Sequence, residues 1–298
     1  MNAQSLTVAL ITDVFPHRDE EERLLAHLRD AKTRGAQLAV LPELPLNRWA
    51  PVSQIPSDAD SEPPYGPRES AMAVAARATG LAVLGGAIVR DQANGRRHNT
   101  AVLFGADGEE LLRYRKIHLP DEDGYWEAHH YDPGGELQAP ADVGGFGIGV
   151  QVCSDANRPQ GCNALAAMGA DAILLPRATP AETYPRWRLV LRANAVTSCA
   201  YVISVNRPGT RSQGVIGGPS MVAGPSGVNR HVKCPGYRHG KCPGSAAAPR
   251  RERSDRSGAA GRERGRHDGP SPDAGDSASI RLASGWIAFE SSAWRRIR

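Results

Sequence analysis

Apolar residues recur along this chain with two periods, and their alternation predicts a mixed α/β domain. Residues 6–11, 37–41, 81–89 and 99–104 are β-rich apolar runs, whereas residues 20–34 space Leu24, Leu25, Leu28 and Ala31 helically before Gly35 ends the helix. A second helix is expected over 69–79. A hairpin is expected where Ala106, Asp107 and Gly108 separate the strands 99–104 and 110–114. Further on, the run 148–153 ends in a polar turn, residues 163–169 form a short helix, and 171–176 is a second buried strand. Residues 186–198 read as a helix, 201–205 as a strand, and 217–227 as a last strand and turn. Between these elements lie a Pro- and Ser-rich loop at about 50–67 and a polar, aromatic loop over 121–135, long enough to suggest a functional role.

Three candidate chemical groups fall at strand ends. Strand 37–41 runs into Pro42 and Glu43, strand 110–114 delivers Lys116, and strand 148–153 ends at Cys153. The carboxyl ends of strands are where an open α/β sheet gathers its chemistry. Taken singly, each residue has a plainer reading: a solvated loop acid, a solvated cation in a basic cluster, and a small buried hydrophobe. Together they are chemically complete. A carboxylate takes the thiol proton, the thiolate attacks a carbonyl or nitrile carbon, and an ammonium stabilises the developing oxyanion. A thiol needs such help, because at its free pKa of about 8.5 only a few per cent is ionised near neutrality. A metal centre is not expected, since His129 and His130 are adjacent, point apart, and have no ligand spacing to complete a site.

Composition and charge refine this picture only at the end of the chain. Residues 1–227 hold 21 Lys+Arg against 25 Asp+Glu and residues 228–298 hold 15 against 7, so the formal +4 joins a −4 body to a +8 tail. The basic balance therefore says nothing about what the body binds. Five irregularly spaced cysteines suit a reducing compartment, and the absence of an 18-residue apolar run or a signal-like start points to a cytoplasmic protein.

In order and context, residues 35–44 around Glu43, residues 114–120 around Lys116 and residues 149–155 around Cys153 resemble the three motifs of the nitrilase superfamily of carbon–nitrogen hydrolases. The resemblance covers about residues 5–227. It implies a four-layer αββα sandwich, a Glu43, Lys116 and Cys153 triad, no cofactor, and a homodimer or higher homo-oligomer. The segment from Gly124 to Glu127, followed by Tyr131 to Gly134, is similar to one in the N-carbamoylputrescine amidase and aliphatic amidase branches. There a further glutamate positions substrate or lysine, a role the resemblance assigns to Glu127. True nitrilases have a glutamate two residues after the nucleophile; Ser154 and Asp155 here imply an amide or N-carbamoyl substrate. The N–H of Ser154 is a natural second oxyanion donor. Arg158, Arg177 and the loop 126–130 are candidates for lining the substrate side. Thr197 departs from the glutamate that many relatives carry in that helix.

The pattern stops after Gly227. Residues 228–298 are rich in Arg, Gly, Pro and Ser, with too few large aliphatic residues for a core, and are expected to form a largely unstructured tail. Such an abrupt switch is also what a reading-frame shift would produce. The resulting expectation is a thiol hydrolase of a small amide or N-carbamoyl amine, releasing ammonia through an acyl-enzyme. The rival is a silent protein of the same fold whose tail binds nucleic acid through its arginines, or zinc through His231, Cys234, His239 and Cys242. The seven-residue gap between those cysteines and the lack of aromatics among the arginines argue against it.

Overall fold

The computed structural model describes residues 5–209, 216–227, 229–231 and 286–290. Its elements follow the order β1 (Ser5–Leu10), α1 (Glu21–Thr33), β2 (Leu38–Val40), α2 (Pro67–Thr79), β3 (Ala82–Arg90), β4 (Arg97–Phe104) and β5 (Glu110–Arg115). A one-turn α3 (Glu127–His130) leads to β6 (Ala141–Val143), β7 (Phe146–Val150), α4 (Pro159–Ala167), β8 (Ala172–Arg177), α5 (Tyr184–Ser198), β9 (Tyr201–Asn206) and β10 (Met221–Ala223). Two short strands close the set, β11 (Asn229–His231) and β12 (Trp286–Glu290).

Two six-stranded sheets result, ordered β12-β1-β2-β3-β4-β5 and β11-β10-β9-β8-β7-β6. Each has a parallel centre, β1-β2-β3 in one and β7-β8-β9 in the other, flanked by antiparallel pairs. The period-2 alternation of strands explains how both faces of a sheet are buried. Leu6, Val8, Leu10, Leu38, Val40, Leu84 and Leu103 face the second sheet, while the intervening Ala9, Ala39, Val83 and Val102 pack against Leu24, Leu28 and Met72 of α1 and α2. In the second sheet, Ala172 and Leu174 face inward and Ile173 packs against Cys162 and Leu165 of α4. The layers are therefore helix, sheet, sheet, helix. Each fully buried Leu, Val or Ile in them contributes roughly 1.5–3 kcal/mol. Gly85 marks how closely α2 approaches β3, because a Cβ there would lie 2.2 Å from the Met72 sulfur.

The expected elements are present with small shifts at their ends. The structure adds α3 and β6 inside stretches that lack a recognisable period. It also places two short strands within residues 228–298, since β11 pairs antiparallel with β10 and β12 pairs antiparallel with β1 from Ser5↔Glu290 to Ala9↔Trp286. The physical reason is local. Trp286, Ile287, Ala288 and Phe289 are four consecutive apolar residues, a strand-forming run that the average composition of 228–298 conceals. Cys234, His239 and Cys242 of the proposed zinc set lie outside the described residues. Among the described residues, no group of three potential ligands could hold a metal, and no helix is long and apolar enough to cross a membrane.

Strand β12 covers one edge of β1, whose backbone groups would otherwise be open to other chains. Ending the chain before residue 286 is therefore expected to lower the melting temperature, by about 2–4 °C for each kcal/mol of pairing lost. It should also produce concentration-dependent light scattering. An unchanged melting temperature with no scattering would show that this strand contributes nothing to the fold.

Candidate active site

Glu43, Lys116 and Cys153 come from three strand exits, two on one sheet and one on the other. Beyond β2, the chain turns at Leu44, a non-glycine residue at φ +49°. This turn is held by Arg207, buried just after β9, whose guanidinium donates to the carbonyls of Glu43 (3.1 Å), Leu44 (2.6 Å) and Asn47 (2.7 Å). Burial draws the Arg207 pKa down to about 10 against the charge of Glu43. Lys116 lies one residue beyond β5; its N–H donates to the Asn99 carbonyl (2.9 Å) and its carbonyl accepts from the Gly134 N–H (2.8 Å). That close approach requires glycine at 134, where a Cβ would sit 2.2 Å from the Arg115 carbonyl oxygen.

The Lys116 ammonium is fully buried and shared between two carboxylates. It donates to Glu43 Oε1 at 2.9 Å and to both oxygens of Glu127 at 2.7 Å. Asn99 completes the cluster, its amide donating to Glu43 Oε1 at 2.8 Å. Burial alone would depress the lysine pKa, but the charges of Glu127 and Glu43 outweigh it and raise the value well above ordinary lysine. Glu127 responds oppositely. Burial and the nearby Glu43 charge lift its pKa to about 7 in spite of Lys116. Glu43 Oε2 is buried without a hydrogen-bond partner.

Cys153 opens a 3-10 turn, Cys153–Asn157, beyond β7, and itself adopts φ +47°. A non-glycine residue in that region costs on the order of 1–3 kcal/mol, so the turn must be held from outside. Asp155 holds it. Its buried carboxylate accepts from the Val152 N–H (3.1 Å), the Tyr114 hydroxyl (2.8 Å) and the His118 N–H (2.9 Å), with the His118 ring Nδ1 also 2.9 Å away. Tyr114 and His118 flank Lys116 in sequence, so Asp155 ties the Cys153 turn to the Lys116 strand across the two sheets. The Ser154 hydroxyl makes the same connection by donating to the His118 carbonyl. Burial raises the Cys153 thiol pKa well above its usual value; the Glu43 charge adds to this and Lys116 opposes it. The thiol is therefore neutral at rest.

The structure thus brings Glu43, Lys116, Glu127 and the Cys153-Ser154 turn to one place. It does not bring the candidate arginines there as substrate ligands. Arg177 is fully buried and donates to the hydroxyls of Ser204 and Thr179 and the Pro219 carbonyl, and Arg158 is exposed. His129 pairs with Asp121 at 3.1 Å and His130 meets the Ser53 carbonyl at 2.6 Å, pointing apart as expected. Sequence reasoning missed Asn99, Arg207 and the bracing by Asp155. The one available signal was a polar residue in a buried strand or at its exit.

Replacing Asp155 with Asn removes a charged acceptor and turns an amide N–H toward groups that themselves donate. Because hydrogen bonds to a charged group contribute about 1.5–3 kcal/mol each, Asp155→Asn is expected to lose at least about 2 kcal/mol in urea unfolding. A loss below about 0.5 kcal/mol, the range of ordinary surface changes, would contradict the bracing role.

Comparison with known proteins places this geometry in context. The profile of the carbon–nitrogen hydrolase family matches residues 20–229. N-carbamoylputrescine amidase of Solanum lycopersicum is 27% identical over 238 residues, covering 75% of this chain and 78% of that one. Deaminated glutathione amidase of Mus musculus is 31% identical over 227 residues, covering 72% and 69%. Among solved structures, a carbon–nitrogen hydrolase from Helicobacter pylori G27 superposes with a TM-score of 0.68 at 22% identity, covering 78% of this chain and 85% of that one. Nit3 of Saccharomyces cerevisiae, a member of branch 10 of the nitrilase superfamily, gives a TM-score of 0.67 at 23% identity, covering 75% and 84%. With the αββα layers and the family profile in agreement, this chain belongs to the carbon–nitrogen hydrolase family.

Proposed function

We propose that this hydrolase cleaves the terminal carbon–nitrogen bond of a small amide or N-carbamoyl amine through an acyl-enzyme on Cys153. The observation that carries the reading is the buried Lys116 ammonium shared by Glu43 and Glu127, with the second Glu43 oxygen left without a protein partner. Asp155 at the second position after the cysteine, and relatives that are amidases, favour an amide-type substrate over a nitrile.

In this reading Glu43 Oε2 takes the thiol proton as Sγ attacks the carbonyl carbon. The carbonyl oxygen becomes an oxyanion stabilised by the Lys116 ammonium and the Ser154 N–H; losing one such donor typically costs about 2.7–4 kcal/mol of barrier. As the C–N bond breaks, Glu43 returns the proton to nitrogen and ammonia leaves. Water then gives its proton to Glu43 and attacks the thioester, and the thiol is restored as the acid departs. Glu127 is a positioning residue, holding Lys116 by two hydrogen bonds.

Cys153→Ala is expected to abolish ammonia release, while Cys162→Ala and Cys199→Ala retain it; wild-type-like turnover by Cys153→Ala would sink the mechanism. A second expectation concerns pH. Burial lifts the Glu127 pKa to about 7 in the fold from an ordinary 4.5, so the folded state binds the extra proton and its contribution to stability declines as pH rises from about 4.5 to 7. Glu127→Gln should flatten that part of the stability curve, measured as melting temperature against pH. An identical slope in the variant would show that Glu127 does not titrate there.

A further inference from the structure

Among the described residues, two more buried side-chain polar atoms lack hydrogen-bond partners, and both are tyrosine hydroxyls beside the site: those of Tyr125 and Tyr131. Tyr131 is only 5% exposed, so its hydroxyl bears a desolvation cost that water does not relieve. Its position is firmly set, because the Tyr131 N–H donates to the Glu127 carbonyl at 2.9 Å, which ends the turn carrying that glutamate. Tyr125 is fixed by an edge-on contact with Trp49, ring centroids 5.8 Å apart.

Both rings belong to one apolar wall, with Leu44, Trp49, Ile88 and Ile216. This wall adjoins the reacting groups from two directions. Leu44 directly follows Glu43, and Ala178, in the same wall, has its backbone N–H toward the Cys153 sulfur. The Tyr131 hydroxyl feels the charges of Glu127 and Glu43, and that of Tyr125 feels Cys153 and Glu43. A wall otherwise apolar therefore carries two hydroxyls beside the groups that react in the proposed mechanism.

The requirements of the substrate indicate what they bind. In the proposed mechanism, the carbonyl oxygen goes to Lys116 and Ser154, and the leaving NH2 goes to Glu43. A simple carboxamide, R-CH2-CO-NH2, then has no polar group left near the carbonyl. An N-carbamoyl amine, R-NH-CO-NH2, has one more N–H on the acyl side, and it needs an acceptor. Resting on the proposed mechanism, we infer that the Tyr131 hydroxyl, assisted by Tyr125, accepts this N–H and selects ureides over carboxamides. A site built to hydrogen-bond a substrate group discriminates strongly against an analogue lacking it, because its own polar group is then left unpaired. After ammonia leaves, the same N–H remains in the R-NH-CO-S acyl-enzyme. Water attack yields the carbamate, which breaks down to amine and carbon dioxide.

The test compares N-butylurea with hexanamide, which differ by NH against CH2 at the acyl side. Wild-type enzyme is expected to prefer N-butylurea in kcat/KM by at least about 100-fold. Tyr131→Phe should reduce that preference by about 10-fold or more, through loss on the urea with hexanamide unchanged, and Tyr125→Phe should do so more weakly. Equal loss on both substrates, or an unchanged preference, would overturn the inference. Binding to the Cys153→Ala protein, measured by calorimetry with and without Tyr131→Phe, reads the same contact without turnover; urea affinity should weaken about 10-fold and hexanamide affinity stay within about twofold. Hexanamide turnover without urea preference refutes the tyrosine role and leaves the thiol mechanism standing. Failure of both substrates to acylate Cys153 refutes the mechanism, and the binding arm then decides the tyrosine role by itself.

Discussion

The buried Lys116 ammonium is the constraint on which the rest of the structure depends. Desolvating a charge of this size costs several kcal/mol even after the protein relaxes, and only well-placed opposite charges offset it. Here the offset requires Glu43 from the end of β2 and Glu127 from α3, so strand, helical turn and lysine must meet at one point. Removing Lys116 would leave two carboxylates uncompensated in a dry interior, and breaking a buried ion pair from one side typically costs about 3–5 kcal/mol. This helps explain why so much nearby structure is devoted to aim. Arg207 grips the Glu43 turn, Gly134 lets the next loop close on Lys116, and Asn99 bonds to Glu43 from the neighbouring strand.

Two carboxylates around one ammonium also leave a local excess of negative charge, which shapes the proton inventory. Burial first, and then this excess, lift Glu127 to about 7 and hold the Cys153 thiol protonated. A resting thiolate beside Glu43 would add a further anion. In the proposed mechanism, keeping the thiol neutral postpones charge separation until a substrate carbonyl is present to receive the electrons, with the ammonium already in place to meet the oxyanion. Preorganisation of this kind is more effective in a low-dielectric site than in water.

The parts of this design that were legible in the sequence share one property: they sit where a strongly patterned element ends. Glu43, Lys116 and Cys153 each follow an apolar run, and the period of the runs was enough to place most of the strands and the four longer helices. The less legible parts are polar groups inside patterned elements or structure inside unpatterned ones. Asn99 lies within β4 and faces Glu43, yet its side chain is an ordinary strand residue to a periodicity argument. Glu127 was legible through its motif, but the one-turn helix that carries it is too short to show a 3.6-residue period. Strand β12 was hidden for a different reason. Composition averaged over a long basic tail conceals five residues that pair with β1, and pairing is decided by those five alone.

Stability and strain are in tension at Cys153 itself. Cys153 stands at φ +47°, where a side chain is strained, and the three unpartnered buried side-chain N/O atoms among the described residues belong to Glu43 and to Tyr125 and Tyr131 of the adjoining apolar wall. Proteins rarely leave buried polar atoms without partners, because each costs about 1–3 kcal/mol. Strain and desolvation of this size are tolerable only where the surroundings over-determine the conformation, as Asp155 does by binding Val152, Tyr114 and His118 at once. Locating these costs at the site rather than elsewhere gives a bound substrate something to relieve. Groups that must wait for a partner contribute more to binding than groups already satisfied by the protein.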